Sequence, residues 1–278
     1  QKGGHRARKR FGQHWLRNDQ ILNQIVRAGE LVEGDRVLEI GPGQGVLTQR
    51  IFDMTSAHVL AVEIDRDLCL QLSDQFITYM ADGRFRLIES DFLKLNFDQA
   101  LIDFELSRPN KVVANIPYYI TAPILEKLLG TLRSPNPQPF NNIVLLVQKE
   151  ISDRLCATPG TKANGALTIR AQYLADCEEI CPVPPSAFKP APKVESAVVR
   201  LRPRPFPTPA KDPVRLSQLV KLGFSQKRKM LRNNLQSIVD KDLLSSTLEG
   251  LSINPQIRAE GLGVAQWVAL SDALPVSH

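Results

Sequence analysis

Five short apolar runs punctuate the chain. They are Arg36 to Ile40, His58 to Val62, Phe85 to Glu89, Lys111 to Ala114 and Asn142 to Val147. Each is too short for a helix, and its near-continuous apolar character predicts a strand buried on both faces. Between them lie stretches of helical spacing, with Ile21, Leu22, Ile25 and Val26 on one face early on, and Ile124, Leu125, Leu128 and Leu129 after the fourth strand. Asn18 or Asp19 is placed to cap the first of these helices. Strands alternating with helices predict an α/β fold around a parallel sheet. Glu178 to Val183 and Glu195 to Leu201 read as two further strands.

Arg202 to Pro213 holds five prolines and little apolar content, which predicts a linker. Helical patterns follow: Val214, Leu219, Val220 and Phe224; then a basic cluster of Lys227, Arg228, Lys229 and Arg232 within a helix; then Leu243, Leu244 and Leu248; then Val264, Trp267, Val268 and Leu270. The expected organisation is a large domain over 1–202, a linker over 203–213 and a small helical domain over 214–278. The 278 residues and 43% hydrophobic content allow both cores. No apolar run is long enough to span a membrane.

Ligands of such sheets gather at the carboxyl ends of the strands. Gly41, Glu63, Asp91 and Asn115 all fall there. The first strand runs into Gly41-Pro42-Gly43-Gln44-Gly45, a turn whose glycines let backbone approach a ligand and whose following helix presents free N–H groups. The spacing is G-x-G-x-G, not the longer dinucleotide fingerprint. Glu63, about twenty residues on, suits two ribose hydroxyls. Asp91 can accept from a purine amino group, with Phe92 or Ile64 against the ring, or simply cap a turn. Asn115-Ile116-Pro117-Tyr118 puts an amide, carbonyls left free by the proline and a flat ring at one strand end. That set can hold an exocyclic amine and stack on its base; a strand end with a packing tyrosine is the plainer alternative. Phe188, in a proline-stiffened loop, is either a buried plug or a second wall opposite Tyr118.

Charge and cysteines sharpen this only a little. The net charge of +6 is compatible with nucleic acid. Arg6, Arg8, Lys9 and Arg10 form a basic arm before an apolar anchor. Cys69, Cys156, Cys177 and Cys181 have no metal-ligand spacing and are expected to be reduced thiols.

These segments together resemble the ribosomal RNA adenine dimethyltransferases, particularly the bacterial small-subunit branch. The resemblance rests on Arg8 to Leu16, Val37 to Gly43, Glu63-Ile64-Asp65, Asn115 to Tyr118, Val147 to Glu150, Pro184 to Pro190, Phe224 to Lys229 and Arg258-Ala259-Glu260. It implies a Rossmann-like class I methyltransferase sheet of seven strands with the last reversed. It also implies S-adenosylmethionine as methyl donor, no metal, and dimethylation of two adjacent adenosines near the 3′ end of 16S rRNA. His14, Leu16, Gly41, Gly43, Glu63, Ile64, Asp91, Phe92 and Asn115 would hold the donor; many relatives carry Asn at the His14 position. Asn115, Ile116, Pro117, Tyr118 and Phe188 would hold the target amine and base. Arg8, Lys9, Arg10, Lys227, Arg228, Lys229 and Arg232 would meet RNA. The expected partner is the immature small subunit, bound by a monomer without membrane. The expected compartment is cytoplasm, or an organellar matrix after leader removal. The competing expectations are a large-subunit adenine methyltransferase of the same fold and a non-catalytic RNA-binding assembly or transcription factor.

Overall fold

The protein, described here by a computed structural model, is defined over residues 14–274. The basic arm at Arg8, Lys9 and Arg10 lies outside the described residues. Strands run β1 (Trp15–Leu16), β2 (Arg36–Ile40), β3 (His58–Glu63), β4 (Phe85–Glu89), β5 (Lys111–Asn115), β6 (Asn142–Gln148), β7 (Ala175–Val183), β8 (Phe188–Lys189) and β9 (Ser196–Pro203). Helices are α1 (Asp19–Ala28), α2 (Val46–Met54), α3 (Arg66–Gln75), α4 (Ile77–Ala81), α5 (Phe97–Asp103), α6 (Thr121–Leu129), α7 (Lys149–Leu155), α8 (Ala166–Leu174), α9 (Pro213–Gly223), α10 (Leu231–Asn234), α11 (Lys241–Gly250) and α12 (Val264–Ala273).

Seven strands form one sheet in the order β4-β3-β2-β5-β6-β9-β7. β2 pairs in parallel with both β3 and β5, β3 with β4, and β5 with β6. β9 runs antiparallel to β6, joining Ile143 to Leu201 and Gln148 to Ser196. This is the α/β class I methyltransferase architecture with its reversed last strand. The strand order turns back between β2 and β5, the switch point where a ligand crevice opens at the carboxyl ends. The apolar runs are buried because both sheet faces are covered: Val112, Val113 and Ala114 are fully buried, as are Ile143 to Val147. Asn18 caps α1 by accepting from Ile21 N at 3.1 Å.

The chain divides into two compact units. The first ends its leading segment at Leu128 and adds Gln138–Ser152 and Glu178–Pro203. The second gathers Leu129–Pro137, Asp153–Cys177 and everything from Arg204. The second unit thus begins its last segment just after Pro203 and also draws on 153–177, which lie within the expected 1–202 domain. Its core centres on Trp267, fully buried with Leu216, Leu231, Leu244 and Leu270. The proline-rich stretch is not a free tether. Phe206 stacks on Tyr173 at 5.1 Å, and Ala210 N donates to the Tyr173 hydroxyl at 3.2 Å. Lys227, Arg228 and Lys229 are exposed but lie in the turn between α9 and α10, not in a helix. Asn234 explains this by donating to Gly223 O at 2.6 Å and Gln226 O at 3.1 Å, which ties the turn closed.

Candidate active site

The first unit holds a cavity at the carboxyl ends of β2, β3, β4 and β5. The glycine turn after β2 forms one side. Gly41, Gly43 and Gly45 all adopt left-handed backbone, with φ of 67°, 60° and 73°. At Gly43 a side chain is also excluded by space: a Cβ would stand 2.3 Å from the Trp15 ring. Gly43 N donates to Glu63 Oε2 at 3.1 Å, and Ile64 N and Asp65 N donate to Oε1 at 2.9 and 3.0 Å. Three amides therefore aim the Glu63 carboxyl before any ligand arrives. Burial still raises its pKa.

Around the rim stand His14, Leu16, Ile64, Asp91 and Phe92, all lining the same cavity. Phe92 is buried while Ile64 remains half exposed at the opening. Asp91 Oδ1 accepts from Leu93 N at 3.0 Å, so one oxygen caps the turn as in the plainer expectation. Its other oxygen has no hydrogen bond among the described residues. Glu63, Ile64, Asp91 and Phe92 thus line one cavity, with two carboxylates and two apolar side chains in its wall.

β5 delivers the other half. Asn115, Ile116, Pro117 and Tyr118 all line the cavity. No hydrogen bond among the described residues engages the Asn115 amide. Ile120 N donates to the Pro117 carbonyl at 3.3 Å, closing the short 3₁₀ turn Tyr118–Ile120. That leaves the Ile116 carbonyl as the backbone acceptor nearest Asn115 in the chain. The Tyr118 hydroxyl hydrogen-bonds Ser196 Oγ at 2.6 Å, and the ring stacks on His14 with centroids 6.0 Å apart and planes at 19°. The His14 ring is held by a 2.8 Å bond from Nδ1 to Pro190 O.

Phe188 is not among the residues lining this cavity. It is 5% exposed, pairs with Leu16 across β1 and β8, and belongs to the hydrophobic core. Side chains alternate along a strand, so Phe188 points in and Lys189 points out. The ring facing Tyr118 is His14.

One cavity-lining residue and one that braces the cavity wall had not been singled out from the sequence. Glu39, on β2, is almost wholly buried beneath the glycine turn, accepts from Thr48 Oγ1 at 2.6 Å, and lines the cavity. An acid inside an apolar run was the available signal. Lys127, on α6, donates to the carbonyls of Phe92 and Leu95 at 2.5 Å each and stands 4.8 Å over the Phe92 ring. It ties the Asp91-Phe92 loop to the helix that follows the Asn115 element. Burial lowers its pKa while the Asp91 charge opposes that shift.

Burial pushes the Glu39 carboxyl from 4.5 up to about 8. A raised folded pKa contributes stability below the unfolded pKa, and that contribution is lost as pH climbs through the folded one. The contribution of Glu39 is thus expected to fall away between about pH 4.5 and 8. Glu39→Gln should flatten that slope and melt higher than the parent above pH 8, checked by thermal denaturation across pH. An unchanged slope would show that Glu39 is charged in the fold.

A family model described as ribosomal RNA adenine dimethylase matches residues 4–275. Ribosomal RNA small subunit methyltransferase A of Trichormus variabilis is 57% identical over 272 residues, covering 98% of this chain and 99% of that protein. The protein of the same name from Synechococcus elongatus is 52% identical, covering 95% and 94%. Among solved structures, a dimethyladenosine transferase from Plasmodium falciparum superposes with a TM-score of 0.73 at 25% identity, covering 92% of this chain and 96% of that one. The 23S rRNA methyltransferase ErmE gives 0.70 at 25% identity, covering 94% and 99%.

Proposed function

The chain belongs to the ribosomal RNA adenine dimethylase family, and on that premise we propose that it moves methyl groups from S-adenosylmethionine to the N6 amines of two adjacent adenosines near the 3′ end of 16S rRNA. The substrate on this reading is an immature small subunit in the cytoplasm, met by a monomer. The supporting observation is the uncommitted amide of Asn115 beside the Ile116 carbonyl, in one cavity with Glu63 and Asp91. Both relatives described above, each more than 50% identical, are named for the small subunit, which favours that target over the large-subunit reaction in the name of ErmE.

S-adenosylmethionine supplies an electrophilic methyl group when bound. Glu63, Asp91, Ile64, Phe92, Leu16 and the Gly41–Gly43 backbone are the residues that would hold it. An adenine amine is a poor nucleophile because its lone pair is delocalised into the ring. The Asn115 side-chain oxygen and the Ile116 carbonyl accept its two N–H hydrogens and draw the nitrogen towards tetrahedral geometry. The lone pair is then localised on nitrogen. As the new nitrogen–carbon bond forms, the methyl's bond to sulfur breaks and the now cationic amine sheds its extra proton to solvent, so positioning and preset dipoles provide the acceleration with no strong base required. Tyr118, fixed through Ser196, offers a face for the flipped-out base.

The second unit reads as the RNA-holding part, with Lys227, Arg228 and Lys229 exposed and Arg232 beside them. Phosphate contacts set affinity and salt dependence, not base identity. Neutralising the triplet should weaken RNA binding and reduce the slope of log affinity against log salt by roughly 2–3 units, since each contact contributes about 0.7–0.9. Binding titrations at several salt concentrations check this; an unchanged slope would mark the triplet as a solvated turn.

The test of the whole reading is labelled methyl transfer to small subunits that lack the modification, compared with large-subunit RNA. Incorporation of four methyls confined to the small subunit is expected. Labelling of large-subunit RNA alone would assign the chain to the other reaction.

A further inference from the structure

Tyr119 is 62% exposed and lines the lip of the cavity that Asn115 and Tyr118 enter. Exposure alone marks nothing, since Phe104 is as open; what sets Tyr119 apart is its place on the lip of this cavity. No hydrogen bond or ring contact holds its ring among the described residues, whereas its neighbour Tyr118 is anchored by both Ser196 and His14. The two tyrosines sit in one 3₁₀ turn, Tyr118–Ile120. At three residues per turn, consecutive side chains diverge by roughly 120°. They cannot both lie against one base. Tyr118 faces inward beside the amide, and Tyr119 points to solvent from the same turn. The nearby rim adds another uncovered apolar surface at Ile64, 48% exposed.

We propose that Tyr119 is a stacking platform for the RNA base next to the one being methylated, so that the site grips two neighbouring nucleotides. This rests on the RNA-methylating reading above. An aromatic face accepts any base, so the contact adds affinity and register without reading sequence. It also gives a physical reason for acting on adjacent adenosines. When the first leaves the cavity, its neighbour is already unstacked from the RNA and held at the entrance.

The experiment uses the full chain and two short hairpin RNAs carrying tandem adenosines, with 2-aminopurine replacing the base on one or the other side of the target. Stacking on a tyrosine quenches 2-aminopurine fluorescence. The wild type and Tyr119→Phe are expected to quench one of the two RNAs on binding, and Tyr119→Ala to lose that quench. Tyr119→Ala should also raise the RNA KM by about tenfold, with Tyr119→Phe restoring it and S-adenosylmethionine affinity by calorimetry staying within twofold. Equal quench and equal KM in Tyr119→Ala would overturn the assignment and leave the ring as a surface for a protein partner. The quench reports binding alone. A wild type that quenches but transfers no methyl would refute the catalytic reading while upholding the role of Tyr119.

Discussion

Asn115→Ala is expected to cut methyl transfer by about a hundredfold to a thousandfold, the usual effect of removing one preset dipole from a reacting centre. The asparagine closes β5 at the switch point, and its amide has no hydrogen bond among the described residues, so on the proposed role alanine removes a contact with bound ligand and none within the fold. Folding should be almost unaffected, because the strand's buried contacts come from Val112, Val113 and Ala114. Binding of S-adenosylmethionine should remain within about tenfold, since Glu63 and the glycine turn stay in place. Asn115→Asp is the informative companion: it keeps an acceptor but loses the amide donor, so activity above that of the alanine variant is expected. Single-turnover methyl transfer and calorimetry separate the two effects. Turnover within threefold of wild type in Asn115→Ala would refute the role.

Gly43→Ala should weaken S-adenosylmethionine binding by roughly tenfold to a hundredfold. Two causes act together. The backbone there has φ of 60°, and holding a residue with a side chain in that region costs about 1–3 kcal/mol. The new methyl would also meet the Trp15 ring, at 2.3 and 3.0 Å from two of its carbons. The strain has two outlets. The turn can flatten, breaking the 3.1 Å bond from Gly43 N that aims Glu63, or β1 can shift, carrying His14 and Leu16 from the cavity. Either outcome damages the donor site and spares the sheet. Calorimetric titration beside a thermal melt checks this. A large fall in melting temperature with normal affinity in the remaining folded protein would show that Gly43 serves folding instead.

How far such features can be read in advance depends on the distance along the chain over which each is decided. The buried strands were legible because an unbroken apolar run of five or six residues has few other places to go. Val37 to Ile40 and Ile143 to Val147 lie where those runs predicted. Glycines at 41, 43 and 45, and acids or amides closing consecutive strands, mark a ligand edge for the same local reason. Parallel pairing brings the strand ends level, so Glu63, Asp91 and Asn115 converge without further information.

Other features are settled by partners remote in sequence. Phe188 turned inward because β8 pairs with β1, some 170 residues earlier, and that register puts Phe188 opposite Leu16; its own proline-rich loop gave no sign of which way it would face. Lys127 carried no mark of its role in the sequence, because the carbonyls of Phe92 and Leu95 that it binds come from the loop after β4, more than thirty residues earlier. The basic triplet left the helix because Asn234 captured the turn's carbonyls. The residues from Asp153 to Cys177 joined the second unit because Tyr173 packs on Phe206. Sequence alone determined which segments are strands and which strand ends carry polar groups, since burial pattern and turn chemistry act over a few residues. Which side chain faces the cavity and which faces the core belonged to the tertiary structure, because that choice is made by whichever distant surface arrives to cover it.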